Sequence, residues 1–187
     1  MRVVIVNGLP GVGKTSLAAR IAAALGWPLL TKDMLKEQLF DSIGWGDRAW
    51  SRKLSRASLD LLFLWLKTEA AAQRDIVIEG NFESDRDTPR FLANVGSTPV
   101  QWTQIVVGCD GDVLVARHRA RALSGRRHPG HQEAALINEL TELLQTGWVV
   151  PLALPGATIA VDTTDFAAFD PAAVIQQVRA IGGIAEK

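Results

Sequence analysis

Short apolar runs alternate along the chain with longer stretches in which apolar residues recur every three or four positions. The runs at residues 3–6, 28–30, 76–78, 104–107 and 158–161 predict buried β-strands. The periodic stretches predict helices at 15–25, 33–40, 47–73, 110–123, 132–146 and 171–181, with a further short one at 89–93. This alternation argues for an α/β fold with a parallel sheet covered by helices on both faces. Right-handed crossovers then bring the loops that follow the strands to one sheet edge, where ligands of open α/β sheets bind. Two stretches stand out as coverings for that edge. One is the helical segment 33–74 between strands two and three; the other is the arginine-dense segment 117–131 after strand four, where Ser124-Gly125 and Pro129-Gly130 read as hinges.

Composition narrows the class. A length of 187 residues suits one domain, 1–187, with enough chain to bury a core. The formal net charge is zero, so no overall field draws the molecule to nucleic acid or to a membrane. The single cysteine, Cys109, allows no disulfide within the chain and fits a reducing compartment; at the end of an apolar run it reads as a packing residue. The most apolar stretch, 59–66, is interrupted by Asp60 and is far shorter than the roughly 20 residues that span a bilayer. The first strand begins at once, leaving no room for a leader, so the expected location is the cytoplasm.

Chemistry enters at Gly8-Leu-Pro-Gly-Val-Gly-Lys-Thr15, which lies between the first strand and the first helix. The spacing G-x-x-x-x-G-K-[ST] in that setting is a phosphate-binding P-loop. Its glycines let successive backbone N–H groups approach phosphate oxygens, and the helix N-terminus adds partial positive charge. The contacts expected for ATP are Gly8, Gly11, Val12, Gly13, Lys14, Thr15 and Ser16, with the Thr15 hydroxyl on Mg²⁺. Other P-loop classes are disfavoured. There is no N-K-x-D motif and no D-x-x-G after strand three, which ends in Glu79-Gly80; the chain is too short for the extra domains of transporter or motor ATPases.

What remains resembles the small P-loop kinases: shikimate and gluconate kinases, chloramphenicol phosphotransferase, the zeta-toxin kinases and polynucleotide 5′-kinases. Thr31-Lys-Asp-Met-Leu-Lys36, Ile76-Val-Ile-Glu-Gly-Asn-Phe82 and Arg127-His-Pro-Gly-His131 are similar to a bacterial group labelled "AAA family ATPase". The resemblance implies a three-layer α/β/α sandwich, a five-stranded parallel sheet in the order 2-3-1-4-5 and an arginine-rich lid at 117–131. It also implies an ATP- and Mg²⁺-dependent phosphotransferase acting on a hydroxyl of a small molecule such as an antibiotic, sugar, nucleoside or nucleotide-sugar. A regulatory nucleotide-binding ATPase and a polynucleotide 5′-kinase stay open as alternatives.

The resemblance places a catalytic carboxylate at Asp33, just beyond strand two, to orient the acceptor and take its proton. Asp33 also reads as an N-cap for a helix beginning at Met34. Lys32 either pairs with it or contacts phosphate. Glu79, at the end of strand three, is expected near Mg²⁺ or the acceptor, with Asn81 and Phe82 beside the acceptor and core packing as the other reading of Phe82. Arg117 and Arg121 share a helix face and are expected on the triphosphate; Arg127 is expected to neutralise the departing γ-phosphoryl. Such an arginine cluster repels itself unless an anion lies beneath it. His128 and His131 read as lid-shaping residues. Arg48, Arg52 and Arg56 form a stripe that is either solvated or, through Arg56 above all, bound to an acceptor anion; Trp45 and Trp50 are expected near that pocket.

Overall fold

The computed structural model describes residues 1–125 and 127–185, except for the side chains at 134–136 and 138. Five strands, β1 (Arg2–Gly8), β2 (Leu29–Thr31), β3 (Ile76–Gly80), β4 (Gln101–Gly108) and β5 (Gly156–Asp162), pair in the order β2-β3-β1-β4-β5. Every neighbouring pair is parallel. Seven helices connect and follow them: α1 (Lys14–Leu25), α2 (Lys32–Ile43), α3 (Arg48–Ala71), α4 (Ser84–Val95), α5 (Gly111–Leu123), α6 (Glu133–Gln145) and α7 (Pro171–Gly182).

Strand alternation divides the core into two layers. On β1, Val4 and Val6 pack on one face against α1, α5 and α7, while Val3 and Ile5 pack on the other against α3 and α4. The α3 contribution comes from Leu59, Leu62, Phe63, Leu66 and Ala70, a stripe with helical spacing. Around Phe91, the rings of Phe63, Phe82 and Trp102 meet edge-on at centroid distances of 4.9, 5.0 and 5.9 Å. This is the three-layer sandwich that the hydrophobic pattern predicts.

Helix α2 runs three residues past the expected 40, to Ile43, and two elements start well before expectation. The short helix expected at 89–93 is the end of α4, which begins five residues earlier and carries Pro89 inside it. The buried Asp87 carboxylate makes that start, accepting from Glu83 N at 2.8 Å and from the Arg86 guanidinium. Strand β4 starts three residues before the expected 104, through Gln101 and Thr103. Polar Gln104 is buried there because its amide exchanges two hydrogen bonds with the Leu152 backbone, at 2.8 and 2.9 Å. Among the described residues, no helix is long and apolar enough to cross a membrane.

Candidate active site

The sheet order reverses its direction at β1, which lies between β3 and β4, and the P-loop leaves from that strand's C-terminal end. A Cβ on Gly8 would stand 2.2 Å from the Val107 carbonyl oxygen of β4, so no side chain fits there. Gly13 adopts φ 92° at the N-cap of α1, in left-handed backbone conformation, and a Cβ there would meet the Phe166 ring at 2.9 Å. Lys14 is 5 % exposed. Its Nζ donates to the Leu9 carbonyl at 2.9 Å and lies 3.8 Å from Glu79 Oε1. The Thr15 hydroxyl donates to Glu79 Oε2 at 3.2 Å. Burial lowers the Lys14 pKa against the pull of Glu79 and Asp33, and burial raises that of Glu79 against Lys14.

Asn7, fully buried, holds the ends of β1 and β3 together. Its side-chain oxygen accepts from Gly8 N and Phe82 N, both at 2.8 Å, and its amide donates to the Phe82 carbonyl at 3.1 Å. The sequence signal for it was a polar residue ending a continuous apolar strand.

Helix α2 begins at Lys32, and its N-cap is Thr31, whose hydroxyl oxygen accepts from Met34 N at 3.0 Å. The cap reading of Asp33 is therefore corrected: Asp33 lies in the first turn, and its carboxylate pairs with Arg127. Burial works to raise the Asp33 carboxyl, but Arg127, His131, Lys14 and Lys32 outweigh it and hold it below its ordinary value. Lys32 makes no ion pair with a described residue and faces the same cavity.

Within the arginine cluster, the fold supplies carboxylates to Arg121 and Arg127. Glu133 at the start of α6 accepts from Arg127 Nη1 at 2.9 Å and lies 2.6 Å from Arg121 Nη2, while Asp33 takes the other side of Arg127. Arg117 instead stacks over Phe166 at 3.8 Å and donates to the Thr164 carbonyl at 2.9 Å. Arg117 Nη1 and Arg121 Nε are buried without a hydrogen-bond partner among the described residues. Arg119 points to solvent, and Arg126 lies outside the described residues.

Segment 127–131 is packed down on α2 and α3. His128 stacks on Phe40 at 4.9 Å and lies 3.3 Å from Asp41, and His131 meets Glu37 at 2.8 Å. Gly130 is wedged under the Phe40 ring, where a Cβ would come within 2.7 Å, and its carbonyl accepts from the Ser51 hydroxyl at 3.0 Å. Pro129-Gly130 is thus a packed corner and not a hinge.

One cavity of about 1200 Å³ unites most of the expected residues. Gly11, Gly13, Lys14, Thr15 and Ser16 line one part of it, with Arg117, Arg121 and Arg127. Asp33, Glu79, Asn81 and Arg56 also face it, and Phe82 contributes to its wall while being 2 % exposed in the aromatic core. Gly8 and Val12 do not line it; the Val12 side chain is buried in the core and its carbonyl accepts from Thr163 at 2.9 Å. Neither Trp45 nor Trp50 lines it: Trp45 is 54 % exposed, and Trp50 Nε1 donates to the Gly44 carbonyl. Glu133, Lys36 and Phe166 are lining residues that sequence reasoning missed.

The donor set suits nucleotide and Mg²⁺. Unsatisfied guanidinium N–H groups beside glycine backbone offer donors to phosphate oxygens, and the neighbouring Thr15 hydroxyl and Glu79 carboxylate offer hard oxygen ligands. Among the described residues no group of three or more His, Cys, Asp or Glu side chains could hold a metal alone. Mg²⁺ does not require one, since it keeps waters and takes substrate phosphates as ligands.

The sequence model of a family described as "AAA domain" matches residues 3–145. The chain belongs to that family. A protein from Chloroflexus aurantiacus, described as a "putative kinase", is 37 % identical and superposes with a TM-score of 0.89 over 96 % of this chain and 97 % of that one. A sugar kinase from Janibacter sp. is 18 % identical, with a TM-score of 0.59 over 99 % and 95 %. A gluconokinase from Sinorhizobium meliloti, also 18 % identical, has a TM-score of 0.50 over 98 % and 90 %. No curated protein matches the chain. The domain has the P-loop kinase fold, and its structural neighbours are kinases.

Proposed function

We propose that this AAA-domain protein is an ATP- and Mg²⁺-dependent phosphotransferase that moves the γ-phosphoryl group of ATP to a hydroxyl of a small molecule. The observation that carries this reading is that the Asp33 carboxylate faces the same cavity as Lys14 and Thr15 of the P-loop. The glycine backbone, Lys14, Arg117 and Arg121 hold the triphosphate. Asp33, ionised at neutral pH, orients the acceptor hydroxyl and takes its proton as the acceptor oxygen bonds to the γ-phosphorus and the bond to the ADP oxygen breaks. For this Asp33 must exchange its ion pair with Arg127 for the acceptor, which frees the guanidinium to meet charge on the transferring group. Thr15 and Glu79 would hold Mg²⁺, which would neutralise charge on the phosphates. Segment 33–74 serves the acceptor side and 117–131 serves as the lid.

Asp33→Asn tests the assignment. Transfer to the acceptor is expected to fall by roughly 10²–10⁴-fold, the scale of a lost acid–base group, with ATP affinity by calorimetry unchanged. Undiminished transfer would remove Asp33 from the chemistry.

A further inference from the structure

Outside the P-loop residues themselves, the cavity lining carries more positive charge than its ion-pair partners neutralise. Arg48 and Arg52 share one carboxylate, Glu139, at 3.0 and 3.2 Å. Arg86 is paired with Glu83 and Asp87, both at 2.7 Å, and Arg90 with Asp60 at 2.5 Å. Lys32, Lys36 and Arg56 face the same cavity and make no ion pair with any described residue. Seven cationic side chains therefore meet four carboxylates, an excess of three. The nearest other carboxylates are engaged elsewhere, Asp33 by Arg127 and Glu79 by Thr15 and Lys14.

Lys36 is the most demanding of the three. It lies one turn beyond Lys32 on α2, is 6 % exposed, and makes no ion pair with a described residue; its ammonium stands 5.3 Å from the Phe40 ring. Contact with a phenyl face recovers less than burying an unpaired ammonium loses. Burial and the charge of Lys32 bring its pKa down to about 8. The Asp33 carboxylate pulls the other way without reversing the shift, and Arg48 and Arg127 add to the repulsion. Lys32 and Lys36 repel one another, Arg56 adds a third unpaired cation to the same cavity lining, and an anion entering the cavity stabilises all three.

We propose that the acceptor is an oxyanion-bearing alcohol, a hydroxyl compound whose phosphate or carboxylate group is seated by Lys32, Lys36 and Arg56 while its hydroxyl faces Asp33. The inference rests on the phosphotransferase reading and names the substrate class of that site. It disfavours neutral acceptors, for which the excess charge would have no use.

Two measurements test it. In the first, the P-loop is saturated with Mg²⁺ and a non-hydrolysable ATP analogue, and inorganic phosphate is titrated in while its ³¹P line width is followed. Phosphate is expected to bind, and Lys36→Met and the exposed Arg56→Ala are each expected to weaken it by roughly ten- to a hundredfold, the range for a lost charged contact. Absence of phosphate binding, or affinity unchanged in both variants, overturns the proposal whether or not any acceptor turns over. In the second, transfer is compared across matched acceptors: ribose, ribose 5-phosphate and ribonate. A raised KM for the anionic members in Lys36→Met, with KM for ATP unchanged, supports the anion seat, and preference between them separates phosphate from carboxylate. Faster turnover of ribose than of both anionic forms contradicts it. Phosphate binding as described, with no acceptor phosphorylated, leaves the anion seat standing and counts against the kinase reading alone.

Discussion

Lys36 shows how one buried side chain ties stability to pH. A lysine in the unfolded chain holds its proton to about pH 10.4, whereas in the folded protein Lys36 gives it up near 8. Between those values the unfolded state binds more protons, so stability rises with pH across this window. Lys36→Met removes that contribution. The gain in denaturant midpoint from pH 7.5 to pH 10 (roughly the two ends of the window) is therefore expected to be smaller in the variant than in the parent. An equal gain in both would show that Lys36 is not buried as described. At this scale the sequence was informative where a residue's chemistry is local. Lys14 and Thr15 belong to a motif with fixed spacing, and Asp33 follows a strand end. Glu133 was not legible, because its partners Arg121 and Arg127 are twelve and six residues away along the chain and meet it only when α6 packs on α5. Thr31 was hidden by Asp33, an equally good cap two residues later, and only the observed start of α2 distinguishes them.

Among the elements, the packing of α5 against α6 decides how segment 127–131 is held. Both guanidiniums converge on a carboxylate that is 6 % exposed, so Glu133→Gln leaves two arginines facing one neutral amide. The variant is expected to lose about 2 kcal/mol of stability, read by denaturant unfolding, and to exchange amide hydrogens faster in 127–131 and the start of α6. Loss confined to global stability, with 127–131 as protected as before, would show that Glu133 does not fasten that segment. Element boundaries followed sequence signals where a cap is chemically distinct. Asp47 caps α3 and Asp110 caps α5, and both ends fell within one residue of expectation. The signals misled where tertiary contacts override local preference. Pro89 looks like a helix start, yet α4 tolerates it internally because Asp87 fixes the first turn from within the core. Gln101 and Thr103 look like loop residues, yet pairing with β1 from Arg2 onward draws them into β4.

For the molecule as a whole, two hydrophobic layers hold a parallel sheet rigid while its C-terminal edge carries the polar cavity. The position of β1 between β3 and β4 places the P-loop, Glu79 and the arginines of segment 117–131 around one crevice, and β2 delivers Asp33 to it. The three-layer architecture was readable from hydrophobic periodicity; the charge distribution of the cavity was not, because it depends on which arginines find carboxylates. The central claim is transfer of a phosphoryl group from ATP to an alcohol, and the most direct measurement is mass spectrometry of the protein incubated with ATP, Mg²⁺ and a pool of hydroxylated metabolites. One member of the pool is predicted to gain the mass of a phosphoryl group, mole for mole with ADP formed. ADP and inorganic phosphate accumulating with every metabolite in the pool unchanged would contradict it.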